Sequence, residues 1–310
     1  MTPETTLVNP DHAIRLVHRH SKPFLLLELP TELILDILTH AASISKEVYR
    51  TLLLMNRRIY YFVRGEKLLT LVPIVLSTGL NFESFSEYLS LRLGESALVR
   101  HLFIFPRTAS NRTHNAHCVS IVSQCTELRS LGCGTTLLYQ SVLGLGHLRH
   151  VHCVDLTLVR FQETWDRLMS YSPRAIQFMH QLRDLHLIGN LDHVIWTQRG
   201  MVPKLDNLVH LSLALGGYNH LPQRMFEDVV RSPKLEQIVI TTKVHGAKEQ
   251  ALKDAAYDLD SRFSVLHRRR RWKERELWMR AVRNPDAFWE QAAREKYLPP
   301  SEHDLPARRT

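Results

Sequence analysis

Eighteen histidines are the side chains in this chain best suited to chemistry, and their positions matter more than their number. His101, His150, His152, His186 and His210, with Asp184, recur at related places in a series of leucine-rich segments. Histidine nitrogens and carboxylates are ligand types that zinc accepts, so His150, Asp184 and His210 form a chemically permissible metal set. The ordinary outcome for such a set is a solvated polar face, and no metal is expected. His114-Asn115-Ala116-His117-Cys118 reads as a polar loop without a partner motif. No G-x-S-x-G, P-loop, G-x-G-x-x-G or H-E-x-x-H is present. No enzyme activity, catalytic residue or cofactor is therefore expected.

The elements that would position these histidines repeat. The pattern L-x-x-L-x-L, with substitutions, occurs at Val99-Leu102-Ile104, Leu128-Leu131-Cys133 and Leu148-Val151-Cys153. It returns at Leu182-Leu185-Leu187, Leu208-Leu211-Leu213 and Leu235-Ile238-Ile240, and in degenerate form at Phe263 and Val265. The central residues are offset by 29, 20, 34, 26 and 27 positions, and the longest offset calls for an insertion near Tyr171–Ile176. Periods of about 20–29 residues with this signature read as leucine-rich repeats. Each unit supplies a short strand whose apolar residues alternate inward. No unit buries its apolar side alone, so neighbours stack into a parallel-stranded solenoid. Helices are expected near 116–125, 160–171, 190–199, 222–231 and 247–258. Residues 81–93, with Phe82, Phe85, Leu89 and Leu93 on one face, read as another. Residues 68–77 read as a strand that Pro73 confines to an edge or breaks.

On such a strand the third and fifth positions point away from the core. They are His101 and Phe103, Ser130 and Gly132, His150 and His152, Asp184 and His186, His210 and Ser212, Gln237 and Val239. Strands about 4.8 Å apart would line up His150, Asp184 and His210 on one concave surface. This basic, pH-tunable face is expected to recognise an unknown protein target through an acidic or phosphorylated segment.

Ahead of the repeats, Leu29-Pro30-Thr31-Glu32-Leu33 opens an amphipathic helix, with Leu33, Ile34, Ile37, Leu38 and Ala41 at helical spacing. A second stripe follows at Val48, Leu52, Met55, Ile59 and Phe62. Leu-Pro-x-Glu-Leu, then Ile37-Leu38, then a helix ending in Met55-Asn56-Arg57-Arg58 resembles an F-box. With Tyr49-Arg50 and Val72-Pro73-Ile74-Val75-Leu76, the whole chain is similar to the F-box-domain proteins with degenerate leucine-rich repeats common in mushroom-forming fungi. That resemblance implies a non-catalytic substrate receptor of a cullin–RING ubiquitin ligase, docked on a Skp-type adaptor. By position it assigns adaptor contact to Leu29, Pro30, Leu33, Ile34 and Ile37, with Leu38 internal.

The expected organisation is a lead-in over 1–23, an F-box-like head over 24–67, an α/β solenoid over 68–267, a C-terminal helical cap over 268–297 and a tail over 298–310. Two helices, 271–283 and 285–296, carry Trp272, Trp278, Phe288 and Trp289. These would close the open end of the solenoid. With 310 residues and 44% hydrophobic content, the chain can bury a large core. The four cysteines lack metal spacing and read as small apolar residues. Apolar runs are too short to span a bilayer and no secretory signal is visible, so a cytoplasmic or nuclear protein without a membrane partner is expected. Of the net charge of +9, residues 268–275 (RRRRWKER) hold six basic residues and one acid. Such a run reads as the solvated face of a helix, or else as an import signal or phosphate-binding patch. Diffuse excess charge is lacking, and nucleic acid is not an expected partner. A stand-alone protein-binding scaffold whose helical head is only a solenoid cap is the alternative reading, and a nucleic-acid-associated protein using the 268–275 run is a less favoured one.

Overall fold

The computed structural model describes residues 73–105 except 93, then 112–144, 149–159, 172–188, 205–215, 234–242, 244–267 and 274–297, with Val230 and scattered positions of 29–54. The chain divides into two compact units, Met1–Gly65 and Glu66–Thr310. The expected helices at 160–171 and 190–199, nearly all of 222–231, and both termini lie outside the described residues. So does most of the second stripe of the N-terminal unit.

The second unit is α/β, built on one parallel sheet. Its strands are β1 (Ile74–Leu76), β2 (His101–Ile104), β3 (Ser130–Gly134), β4 (Asp155–Val159), β5 (Asp184–Ile188), β6 (His210–Leu215), β7 (Gln237–Thr242) and β8 (Phe263–His267). They lie side by side in chain order. Leu102 pairs with Leu131, Leu131 with Leu156, Leu156 with Leu185, Leu185 with Leu211, Leu211 with Ile238 and Ile238 with Phe263.

This register corrects one expectation. The strand of the third repeat unit, β4, is built from Leu156 and Leu158, not from Val151 and Cys153. Corresponding residues then recur every 25 to 29 positions, and no insertion is needed. Residues 173–180 instead form a helix. Hydrogen bonds ahead of the strands repeat the same step. The Arg100 carbonyl accepts from Arg129 and Ser130, the Arg129 carbonyl from Val154 and Asp155, and the Val154 carbonyl from Arg183 and Asp184. Val154 thus stands in β4's unit where Arg100 and Arg129 stand in the two units before it.

Helices cover one face of the sheet. α1 (Gly79–Leu91) is capped by Thr78, whose hydroxyl accepts from the Asn81 amide at 3.4 Å, and it buries Phe82 and Leu89. α2 (Arg112–Gln124) turns Cys118, Ile121 and Val122 inward, and Cys125 just beyond it is also buried. This helix contains His114–Cys118, which therefore do not form a loop. α3 (Thr135–Leu138) runs on through a π-helical turn, Tyr139–Leu143. α4 (Pro173–His180) starts with Ser172 as cap and proline in its first turn, and buries Ala175, Phe178 and Met179. α5 (Ala247–Leu259) turns Leu252 and Ala256 inward. These residues join the strand leucines in one continuous core. All four cysteines are free and buried, and burial pushes the Cys118, Cys125 and Cys133 thiols up to about 12.

The other face of the sheet is also buried. β5 and β7 are each covered along their whole length beyond the first residue. Their cover is α6 (Glu274–Arg283) and α7 (Pro285–Tyr297). Trp278 and Val282 pack with Phe103 and Val159, Leu277 with Ile188 and Ala214, and Phe288, Trp289 and Ala292 with Val239 and Leu266. The C-terminal helices therefore lie across the middle of the sheet instead of closing its end. Apolar residues on both faces of β2, β4, β5 and β7 require a second cover.

Gly132 shows how close this cover sits. A Cβ placed there would stand 2.4 Å from a Phe103 ring carbon and 3.1 Å from Trp278 Cδ1. Both rings are buried, so neither can yield freely. Gly132→Ala is expected to destabilise the second unit by about 1–3 kcal/mol, read as a lower urea midpoint.

Candidate functional site

The expected recognition face is present in part and covered. His101, Asp184, His186 and His210 occupy the anticipated strand positions, since His101 pairs with Ser130, Asp184 with His210, and His186 with both Thr157 and Ser212. His150 and His152 do not. Both precede β4, and their places on the sheet are taken by Asp155 and Thr157. The set His150–Asp184–His210 is therefore not assembled.

His150 is fully buried, and its Nε2–H donates to the Val122 carbonyl of α2 at 2.8 Å. Burial lowers its pKa, opposed by that hydrogen bond, so the ring is a neutral packing element. Gln181 holds the same turn, donating to the carbonyls of His150 at 2.6 Å and Cys153 at 2.8 Å. His152 lies outside on the same turn, with Nε2 3.7 Å from Glu127.

Along the starts of the strands runs a polar row, His101–Ser130–Asp155–Asp184–His210. His101 Nδ1 lies 3.1 Å from Ser130 Oγ. Ser130 also hydrogen-bonds the Asp155 carboxyl. At the far end, His210 Nδ1–H donates to Asp184 Oδ1 at 2.6 Å. Burial, then the neighbouring Asp184 carboxylate, pushes Asp155 up to about 7, against the Ser130 hydrogen bond. Burial and the guanidinium groups of Arg129 and Arg100 push His101 down to about 4.

This row holds serine, histidine and aspartate, but its geometry is that of a bridge. In nucleophilic catalysis the carboxylate orients the base while the base faces the serine. Here the carboxyl and the imidazole meet the same Ser130 hydroxyl, which is buried. The row couples neighbouring strands by side-chain hydrogen bonds.

The C-terminal helices complete the site. Trp289 stacks on His210 with ring centroids 4.6 Å apart and on His186 at 5.1 Å, while Phe288 meets His186 edge-on at 5.4 Å. Gln237 Nε2 donates to the Trp289 carbonyl at 3.0 Å. His186 is buried and pushed down to about 4, mainly by burial. The expected docking surface is thus filled by the chain's own α6 and α7, and His186 and His210 serve as platforms for an indole.

In the N-terminal unit, the Ile34 amide donates to the Pro30 carbonyl at 3.1 Å, so a helical turn follows Pro30 as expected. Leu33 is 49% and Ile37 40% exposed, whereas Ile34 and Leu38 are buried. Pro30 is exposed and Leu29 half-buried. Ile34 is therefore corrected from a contact residue to a packing residue; it and Leu38, one helical turn apart, share the inner side.

A second cluster, His245, Glu249 and His267, was not singled out by the repeat pattern, because it joins the connection after β7, the first turn of α5 and the last residue of β8. The His-x-x-x-Glu spacing at 245–249 was its signal in the sequence.

These features define the class: among the described residues, an α/β fold with a single eight-stranded parallel sheet in chain order, covered on both faces. No protein-family model and no curated protein matches the sequence. Among the described residues, no helix is long and apolar enough to cross a membrane.

Proposed function

We propose that this chain is a non-catalytic, substrate-recruiting subunit of a cullin–RING ubiquitin ligase. In this reading its N-terminal unit is an F-box-like head that docks a Skp-type adaptor. Its second unit is a leucine-rich-repeat-like solenoid that holds a protein target. One observation carries the proposal: Leu33 and Ile37, one helical turn apart and next to exposed Pro30, are large apolar residues left 49% and 40% exposed on a separate compact unit. They coincide with the positions through which the F-box pattern implies adaptor contact. The even 25–29 residue recurrence of the strands supports the solenoid half of the reading.

Because the sheet face is covered, this reading assigns the target surface to the starts of the strands. Exposed Arg129, Val151, His152, Val154 and Arg183 stand around the starts of β3, β4 and β5 and keep the basic character first assigned to the inner face.

Co-purification with a Skp-type adaptor tests the proposal. Leu33→Ala with Ile37→Ala is expected to weaken adaptor binding at least roughly tenfold, since burying each side chain contributes about 1.5–3 kcal/mol. Both residues are exposed, so the head should stay folded. Ile34→Ala, by contrast, should lower the stability of the head by about 2–5 kcal/mol. Failure of the unaltered chain to retain the adaptor would favour a stand-alone scaffold.

A further inference from the structure

We propose that His245, Glu249 and His267 form a binding site for a zinc-class divalent cation. The site is independent of the ubiquitin-ligase reading and lies away from the covered sheet face.

Sheet register brings the three residues together. β7 and β8 pair in parallel through Thr242 and His267, so His267 ends its strand beside the segment that leaves β7. That segment turns at once: the Val244 amide donates to Thr242 Oγ1 at 3.1 Å, and Gly246 adopts φ 64°. A left-handed residue is easily supplied by glycine. The turn projects His245 just before α5 and puts Glu249 in the first turn of that helix.

One nitrogen from each imidazole and one carboxylate oxygen then lie within 4.8 Å of one another. The ring centroids of His245 and His267 are 3.8 Å apart with the planes tilted at 38°. Around a tetrahedral zinc with bonds of about 2.1 Å, ligand atoms stand about 3.4 Å apart. Side-chain rotation that brings the donors about 1.4 Å closer closes that difference.

One histidine is already oriented. A carbonyl oxygen can only accept, so the 3.1 Å contact of His267 Nδ1 with the Val244 carbonyl requires Nδ1–H to donate. Nε2 then carries the free lone pair. A backbone carbonyl that fixes the tautomer of a ligating imidazole is the usual outer partner of a metal-bound histidine. Glu249 supplies the negative charge. Its Oε2 lies 3.5 Å from His267 Nδ1, the proton-bearing nitrogen, so the carboxylate must swing toward Nε2 to share a cation, and its Oε1 holds Lys253 Nζ at 3.0 Å.

Two nitrogens and one oxygen select the metal class. Imidazole suits zinc, copper and nickel, whereas calcium and magnesium need mostly oxygen ligands. Three protein donors leave a fourth position for water. Lys253 competes for the carboxylate, so it should weaken the site and not create it.

The test is a zinc titration of the full chain after chelator treatment, followed by calorimetry and thermal melting. One equivalent of zinc should bind with a Kd in the micromolar range and raise the melting temperature, with no response to magnesium. His245→Ala, at an exposed position, should weaken that binding by roughly tenfold or more, and His267→Ala should do the same. Lys253→Ala should tighten it or leave it unchanged. His152→Ala, at an exposed histidine elsewhere, controls for loose binding to other imidazoles and should have no effect. Absence of stoichiometric zinc, or equal affinity in the unaltered chain and the His245→Ala variant, would overturn the proposal.

Discussion

Trp278→Ala should destabilise the second unit by about 3–5 kcal/mol, the range for deleting a buried large aromatic side chain. Trp278 is 1% exposed, lies 5.4 Å from the Phe103 ring and shares its cluster with Val159 and Val282. Its indole Nε1 is buried without a hydrogen-bond partner, so the loss is one of packing and not of a polar contact. Trp278→Phe keeps an aromatic ring and discards an unsatisfied donor, and it should cost less than half as much. Urea denaturation reads both numbers. Amide exchange locates the damage: with α6 across the sheet, protection should fall at Phe103 and Thr157 in β2 and β4. If the helices instead closed one end of the sheet, those amides would keep their protection. A loss below about 1 kcal/mol would also contradict the packing described here.

That packing marks the limit of what the sequence could be read to say. Strand positions at Leu102, Leu131, Leu185, Leu211 and Ile238 were legible because each unit needs two inward apolar residues at fixed spacing. The third unit was ambiguous. Leu148-Val151-Cys153 and Cys153-Leu156-Leu158 both satisfy the pattern, and local composition does not choose between them. Even spacing does, since stacked parallel strands keep register with their neighbours on both sides. The five-residue shift carried His150 and His152 off the sheet and brought in Asp155 and Thr157. The aromatic residues of the C-terminal helices were also legible, but not the surface they cover. Phe103 and Val239 at outward positions held that information. An outward apolar residue in the middle of a sheet needs a partner that an end cap cannot reach. His245, Glu249 and His267 were invisible to a repeat-based reading because they meet only through strand register and a turn at Gly246.

Asp155→Asn is expected to stabilise the second unit at pH 8 by about 1–3 kcal/mol while changing little near pH 4. Asp155 brings a carboxyl into a largely covered row. Its Oδ1 is buried without a partner, and Asp184 stands opposite it on β5. Burial first, then the Asp184 charge, raises its pKa from 3.8 to about 7. A raised folded-state pKa means that the folded chain binds the proton more tightly than the unfolded chain. Its contribution to stability is complete below about pH 4 and is lost as pH rises through about 7. A shift of this size would correspond to about 4 kcal/mol for a fully shielded group. The side chain is partly exposed at the start of its strand, and solvent screening reduces the expected effect. An uncharged amide of the same shape removes both the desolvation of charge and the repulsion from Asp184. Asp184 keeps its own donor in His210, 2.6 Å away, so the rest of the row is left intact. Urea midpoints of the two proteins from pH 4 to pH 8 should therefore diverge through that window and run parallel above it. A difference that does not change with pH would show that Asp155 is not the group holding the proton.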